Sequence, residues 1–372
     1  MVFCKKFPNN KAFLRIEFRR CIKTQYIVVM PFYKPEREDK MKNGLKIAFV
    51  YIGLVIGAGF ASGREIIEYF NMKSQRNPFP VLLAIFLFAT ISYIILNKAR
   101  REGISDFSEF VDKEAGKLAG FIKGIMYLFM FCGFFVMLSA GGALFKSAFG
   151  WDDKVGVVAL SLICFLVFSF DIQGIVAINS ILVPFMIFGA TYLSVSSLLY
   201  SSETVSVFSL SDNPYVSAVC YVSYNTITAG AVLVPLYSIL DKKSVKVGAI
   251  VGSAVLGVLI FLIREALNIY YDRVLYSQMP LFDMAALRGE VYKMMYLGVL
   301  FTSICTTAVS HGFGVLSRFK FKTRKQRVLG SGIFCLAALP FSELNFSFLV
   351  SSLYLVFGYF GLIWLIILLI KK

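Results

Sequence analysis

Stretches of about 20 apolar residues, the length needed to cross the hydrocarbon core of a bilayer, recur along this chain almost without pause. Ten are legible, at about 43–70, 79–97, 119–147, 155–171, 174–199, 214–240, 246–270, 290–316, 326–342 and 344–370. A segment that crosses lipid must satisfy its own backbone hydrogen bonds, and runs of this length do so as helices. With a mean hydropathy of +0.73 and only 16% charged residues, no stretch between the windows is long enough for a soluble domain. The sequence therefore predicts an all-α polytopic membrane protein, with a basic tail over 1–40 and one transmembrane domain over 41–372. The tail holds ten Lys and Arg residues, shows no helical periodicity and lacks a signal-peptide layout. It reads as disordered, or as sequence ahead of a natural start at Met41.

The net charge of +16 could suggest a nucleic-acid partner, but its distribution argues otherwise. With the N-terminus placed inside, the inner loops hold seventeen Lys and Arg residues (within 98–123, 242–246, 318–327 and 371–372), and the outer loops hold seven (73–76, 146–154 and 273–293). This is the positive-inside bias, and it predicts a multi-pass plasma-membrane protein with both termini in the cytoplasm. The seven cysteines show no CxxC or Cys/His spacing, and five of them sit in apolar segments, where cysteine acts as a small hydrophobe. With one histidine, His311, and no nucleophile motif, an enzyme is not expected, nor is any cofactor beyond a possible Na⁺. The expected partners are a small-molecule solute and the lipid bilayer. Nothing in the sequence points to a particular protein partner.

Within the first window lies Gly57-Ala-Gly-Phe-Ala-Ser-Gly63. Each glycine costs a helix about 1 kcal/mol relative to alanine, so three in seven positions predict a break at bilayer depth. Freed backbone at that depth is tolerated only against protein or a water-filled cavity. The bland alternative is small-residue helix packing. An offset of about 166 residues maps this stretch onto a second polar interruption, Ser223-Tyr-Asn-Thr-Ile-Thr-Ala-Gly230. Two units of five spans, about 41–206 and 207–372, would then face opposite ways, with helices 1 and 6 both broken. Paired interruptions of this kind are the best sequence pointer to the binding site of a secondary transporter. Amphipathic stretches at 104–111 and 279–287 precede the third span of each half and read as interfacial helices.

Lys46-Ile-Ala-Phe-Val-Tyr-Ile-Gly-Leu-Val-Ile-Gly-Ala-Gly-Phe-Ala-Ser-Gly-Arg-Glu65 resembles the opening of the YkvI-like family of bacterial membrane proteins, within the amino acid/polyamine/organocation (APC) superfamily and its LeuT fold. Ser223-Tyr224-Asn225 carries the likeness less strongly, and Arg64 stands where the family pattern has Gln. The resemblance implies a secondary active transporter that moves a small polar or amphoteric, amino-acid-like solute by alternating access, coupled to Na⁺ or H⁺. A nutrient-binding receptor subunit without net transport is the alternative.

By that resemblance, backbone at Gly57, Ala58, Gly59, Phe60, Ala61, Ser62 and Gly63 faces the solute, together with Ser223, Tyr224, Asn225 and Thr226. Ser303, Thr306 and Thr307 are the candidates for an ion site, although membrane hydroxyls often only bond their own i−4 carbonyl. Ionisable groups inside spans are functional candidates by default, so Arg64 and Glu65 are expected to act at a gate, with Glu68 pairing to Arg64. Arg264 and Glu265 are expected to snorkel at a span end, and His311 to be structural.

Overall fold

The computed structural model describes residues 40–70, 77–170, 174–200, 213–319 and 321–370. Apart from Lys40, the expected tail lies outside them. The described residues form helices and turns, with no strand among them. The first window is three pieces: α1 (Lys40–Val55), α2 (Ala58–Ser62) and α3 (Arg64–Phe70). Then follow α4 (Phe79–Glu102), the short α5 (Phe107–Ala115), α6 (Ala119–Phe149), α7 (Asp153–Phe170) and α8 (Gly174–Tyr200). The remainder is α9 (Pro214–Leu233), α10 (Lys242–Ile269), α11 (Tyr271–Val274), α12 (Pro280–Arg288), α13 (Glu290–Leu316), α14 (Arg324–Ser342), α15 (Phe346–Leu349) and α16 (Leu355–Ile370).

Seven helices among the described residues are long and apolar enough to span a membrane, against the ten windows of the sequence. The break in the first helix, and the Arg324, Lys325 and Arg327 carried by the first turn of α14, account for two of the three windows not counted. The two amphipathic stretches form α5 and α12. Asp106 caps α5 by accepting from the Glu109 N–H at 2.9 Å, and Phe110 and Val111 are buried. On α12, Leu281, Phe282, Met284 and Ala285 are buried.

Break and continuity both follow from local bonding. In the first helix the ladder runs to Ile56, whose N–H reaches the Ile52 carbonyl at 2.9 Å. Gly57 then turns back onto Val55 at 2.8 Å, and the ladder restarts with Ala61 bonding Gly57 at 2.9 Å. The first-turn N–H groups of α2 therefore have no helical partner. A second step follows at Gly63, whose φ of +81° suits glycine, and which separates α2 from α3.

Helix six corrects the expectation. The sequence predicts an interruption over Ser223–Gly230, yet α9 is continuous to Leu233. Four of its polar side chains bond carbonyls of their own helix. Asn225 donates to the Tyr221 carbonyl (2.9 Å), Thr226 to Val222 (2.6 Å), Thr228 to Asn225 (2.9 Å) and Ser223 to Cys220 (2.8 Å). The departure from α geometry begins only past that stretch, four residues after Gly230, as a 3₁₀ segment over Val234–Ile239. Pro235 stands there without an N–H to continue the ladder.

Apolar burial alone does little to drive helices together in lipid, so close approach through small residues matters. Alpha-carbons at Gly44, Gly248 and Gly252 let α1 and α10 pack against Val247, Ile47 and Tyr51 respectively. Gly358 and Gly361 admit the Cys220 and Ser223 backbone of α9 to α16, and Ser223 donates across the seam to the Gly358 carbonyl at 2.5 Å.

Candidate functional site

The break in the first helix opens onto a cavity of about 570 Å³, within the range of small-molecule sites. Its lining runs from Glu65, Phe129, Tyr224 and Tyr354 at one end to Lys46 and Ile239 at the other. Gly57, Ala58, Gly59, Asn225, Thr306, Thr307, Ser310 and His311 form the walls between. Most of the lining is apolar, with polar groups concentrated around the break.

On the far side of Glu65 the bundle is closed. The Arg64 guanidinium, 6% exposed, donates to the carbonyls of Leu275 (2.9 Å) and Ser277 (3.4 Å) and pairs with Glu68 at 3.2 Å. Tyr296 donates to the Ala61 carbonyl at 2.7 Å. The Ser277 hydroxyl donates to Asp283 on α12 at 2.5 Å. Burial pushes the Asp283 carboxyl above the ordinary carboxylate range, and the Ser277 hydrogen bond offsets part of that rise.

The candidate residues from the sequence divide into two sets. Gly57, Ala58, Gly59, Glu65, Tyr224, Asn225, Thr306 and Thr307 line the cavity. Phe60, Ala61, Ser62, Gly63, Ser223, Thr226 and Ser303 do not. Phe60 is fully buried, Ser62 bonds the Gly59 carbonyl at 2.9 Å, and Ser223 serves the α9–α16 seam. Thr306 donates to the Ser303 carbonyl at 3.1 Å. The Thr307 hydroxyl stands against the break, about 3.6 Å from where a side chain on Gly57 would begin. Asn225 uses its amide N–H on the Tyr221 carbonyl, and its side-chain oxygen accepts no hydrogen bond among the described residues.

Glu65 lines the cavity, while its neighbour Arg64 faces the seal. The carboxyl occupies the space that a side chain on Gly59 would need. Arg264, expected to snorkel, is instead 3% exposed, donating to the Asn77 carbonyl at 3.1 Å with Glu265 at 3.6 Å. His311 holds the Thr307 carbonyl through Nδ1 at 3.0 Å. Phe129 and Tyr354 are cavity residues that the sequence did not single out. Tyr354 closes a π-helical turn, Val350–Tyr354, between α15 and α16. Such turns recur at functional sites, but no sequence signal marks this one.

A broken first helix with a cavity at the break, inside a bundle of this helix order, is the architecture of LeuT-fold membrane proteins. The chain aligns with Mhp1 in its inward-facing conformation (TM-score 0.59, 13% identity, 86% of this chain and 73% of that one). It aligns with MhsT in complex with L-phenylalanine (0.57, 17%, 86% and 87%) and with a substrate-bound Na⁺-coupled sialic acid symporter (0.57, 16%, 85% and 76%). Identities this low establish the fold alone. In sequence, the chain is a homologue of two Bacillus subtilis (strain 168) proteins. The uncharacterized membrane protein YkvI is 28% identical over 341 residues, covering 90% of this chain and 98% of YkvI. The uncharacterized protein YyaD is 26% identical over 340 residues, covering 88% and 97%. No protein-family model matches the chain.

Proposed function

We propose that this multi-pass membrane protein is a secondary active transporter that moves a small polar or amphoteric solute by alternating access. The observation that carries this reading is the one-sided cavity: its lining extends from the break along α1 to Lys46, while Arg64 and Tyr296 tie the opposite end shut. The inner-loop excess of Lys and Arg puts the Lys46 end in the cytoplasm, which makes this an inward-facing state with both termini inside. On this reading the chain is a 5+5 inverted repeat. The solute meets Gly57–Gly59 and Asn225, and Thr306 and Thr307 offer hydroxyls for Na⁺ beside the chain break, with H⁺ as the other coupling ion. The Na⁺-coupled sialic acid symporter shares the fold and supports this reading by analogy.

The test is uptake of labelled amino acids and related amphoteric solutes into proteoliposomes under imposed Na⁺ or pH gradients. Saturable accumulation that follows one gradient, abolished by Gly59→Val and by Asn225→Ala in folded protein, is the expected result. Binding of a solute without accumulation under any gradient would refute transport and leave a nutrient-binding receptor.

A further inference from the structure

The geometry points to Glu65 as the group that recognises a positive charge on the solute, which is then an organic ammonium compound: an amine or an amphoteric amine. The inference rests on the transporter reading only in calling that ligand a solute, since the recognition itself is a statement about binding.

Glu65 is 5% exposed and lies on the cavity wall, yet it forms no ion pair among the described residues. The neighbouring cation, Arg64, is committed to the opposite side, to Glu68 and two carbonyls. Lys46 lines the far end of the cavity, and at 1.5 Å per residue the eleven residues from Lys46 to Gly57 span about 16 Å. A carboxyl buried this deeply keeps its proton, and stays ionised only beside a compensating charge. The cavity supplies room for one to arrive.

The surroundings select the kind of cation. Glu65 shares its end of the cavity with Tyr224 and Tyr354, and Tyr69 and Tyr221 pack on Tyr224 with ring centroids 5.8 Å and 5.5 Å away. The buried hydroxyls of Tyr221 and Tyr224 are placed to donate to the Glu65 carboxyl, and that of Tyr69 is buried without a hydrogen bond among the described residues. Ring centroids of Tyr224 and Tyr354 stand 5.1 Å apart, and Phe129 sits 6.0 Å and 5.9 Å from them. A small hard cation requires several oxygen ligands at short range. The wall beside Glu65 is instead mainly aromatic, and ring faces attract the larger, weakly hydrated head of an organic ammonium. Gly59 completes the arrangement, because any side chain there would take the carboxyl's place. Pairing of one carboxylate with ring faces supplies charge recognition without fixing the rest of the solute.

The experiment is a thermal-stability screen of the full-length protein in detergent. Amines, quaternary ammonium salts and amino acids are each paired with an uncharged N-acetyl or hydroxyl counterpart. NaCl and KCl are compared separately. The expected result is that one or more ammonium compounds stabilise the protein and their neutral counterparts do not. Glu65→Gln should weaken that binding by at least about 30-fold, the effect of removing one partner of a buried charge pair. Tyr354→Leu should weaken it about tenfold, and Tyr354→Phe by less than about threefold.

Three results would overturn the assignment. One is that no ammonium compound stabilises the wild type. Another is that those which do stabilise Glu65→Gln equally. The third is that NaCl alone, and not KCl, produces the Glu65-dependent shift, which gives the site to an inorganic ion. Proteoliposome uptake separates the two readings. Glu65-dependent binding without accumulation removes transport and keeps this site, whereas undiminished uptake by Glu65→Gln keeps transport and removes the site.

Discussion

Substituting Gly59 by alanine probes the seat of Glu65 directly. A Cβ at position 59 would stand 2.1 Å from Glu65 Oε1, 2.6 Å from Cδ and 2.8 Å from Cγ. To restore an ordinary contact of 3.4 Å, the oxygen must retreat by at least about 1.3 Å, and the cavity that Glu65 lines offers room for it. Two energies oppose each other. Alanine favours the helix by about 1 kcal/mol over glycine, and unrelieved overpacking costs about 1–3 kcal/mol. Because the obstructing group is a movable side chain, Gly59→Ala should fold and lose at most about 2 kcal/mol. In a Glu65→Ala background the obstruction is gone, and the same substitution should gain up to about 1 kcal/mol. The coupling between the sites is then about 1–3 kcal/mol, as expected of residues in contact.

A thiol-reactive dye reads it out, because Cys132, Cys164, Cys220 and Cys335 are free and buried and become reactive on unfolding. The melting midpoints of the two backgrounds should respond to Gly59→Ala in opposite directions, by a few degrees. A displacement above 1 Å should also abolish ammonium binding as thoroughly as Glu65→Gln, since misplacement on that scale is worth about 100-fold. Equal midpoint shifts in both backgrounds would refute the reasoning.

Other perturbations follow from the same contacts. Arg64→Gln removes charge-assisted hydrogen bonds worth about 1.5–3 kcal/mol each from the Leu275–Ser277 seal, so an Ala61→Cys thiol should label several-fold faster from that side; unchanged labelling refutes the seal. Tyr296→Phe leaves the buried Ala61 carbonyl without its partner and should lower stability by about 1–2 kcal/mol in the dye assay. Gly361→Ala puts a Cβ 2.6 Å from the Ser223 carbonyl carbon, where backbone cannot yield, and should cost 2 kcal/mol or more (about the upper half of overpacking penalties). Gly120→Ala, which meets nothing within 4 Å, should be neutral or slightly stabilising by comparison. Glu114→Ala deprives Lys98 of a 2.7 Å ion pair whose carboxylate is 3% exposed, and should destabilise by about 3 kcal/mol; a midpoint within a degree of wild type would show that the pair carries no weight.

What the sequence made legible was what depends on local backbone chemistry. Gly57 and Gly59 weaken a helix wherever they stand, and the break falls beside them. Asp106 and the apolar spacing after it announce α5. What misled was a polar run taken for a weak point. Ser223, Asn225, Thr226 and Thr228 look foreign to an apolar span, but each closes onto a carbonyl three or four residues back, so the helix keeps its course until Pro235. Composition cannot distinguish a hydroxyl that serves its own helix from one that serves a ligand. The aromatic wall was beyond reach for another reason. Tyr354 meets Tyr224 across 130 positions of chain, and only the packing of α16 on α9 brings them together. One local hint was available: Glu65 and Tyr69 are four apart, and Tyr221 and Tyr224 three apart, spacings that place each pair on one helical face.

Residues 64 and 65 are consecutive, so their side chains leave α3 about 100° apart, one toward the rim and one toward the interior. The short helix thus ties two contacts together, like a crank with two pins. Tilting it away from Leu275 and Ser277 swings the acid through an arc, and an incoming charge that fixes the acid resists the tilt. On the proposed transport reading, mutations at the rim are then expected to change affinity, and mutations on the floor to change which side of the membrane has access.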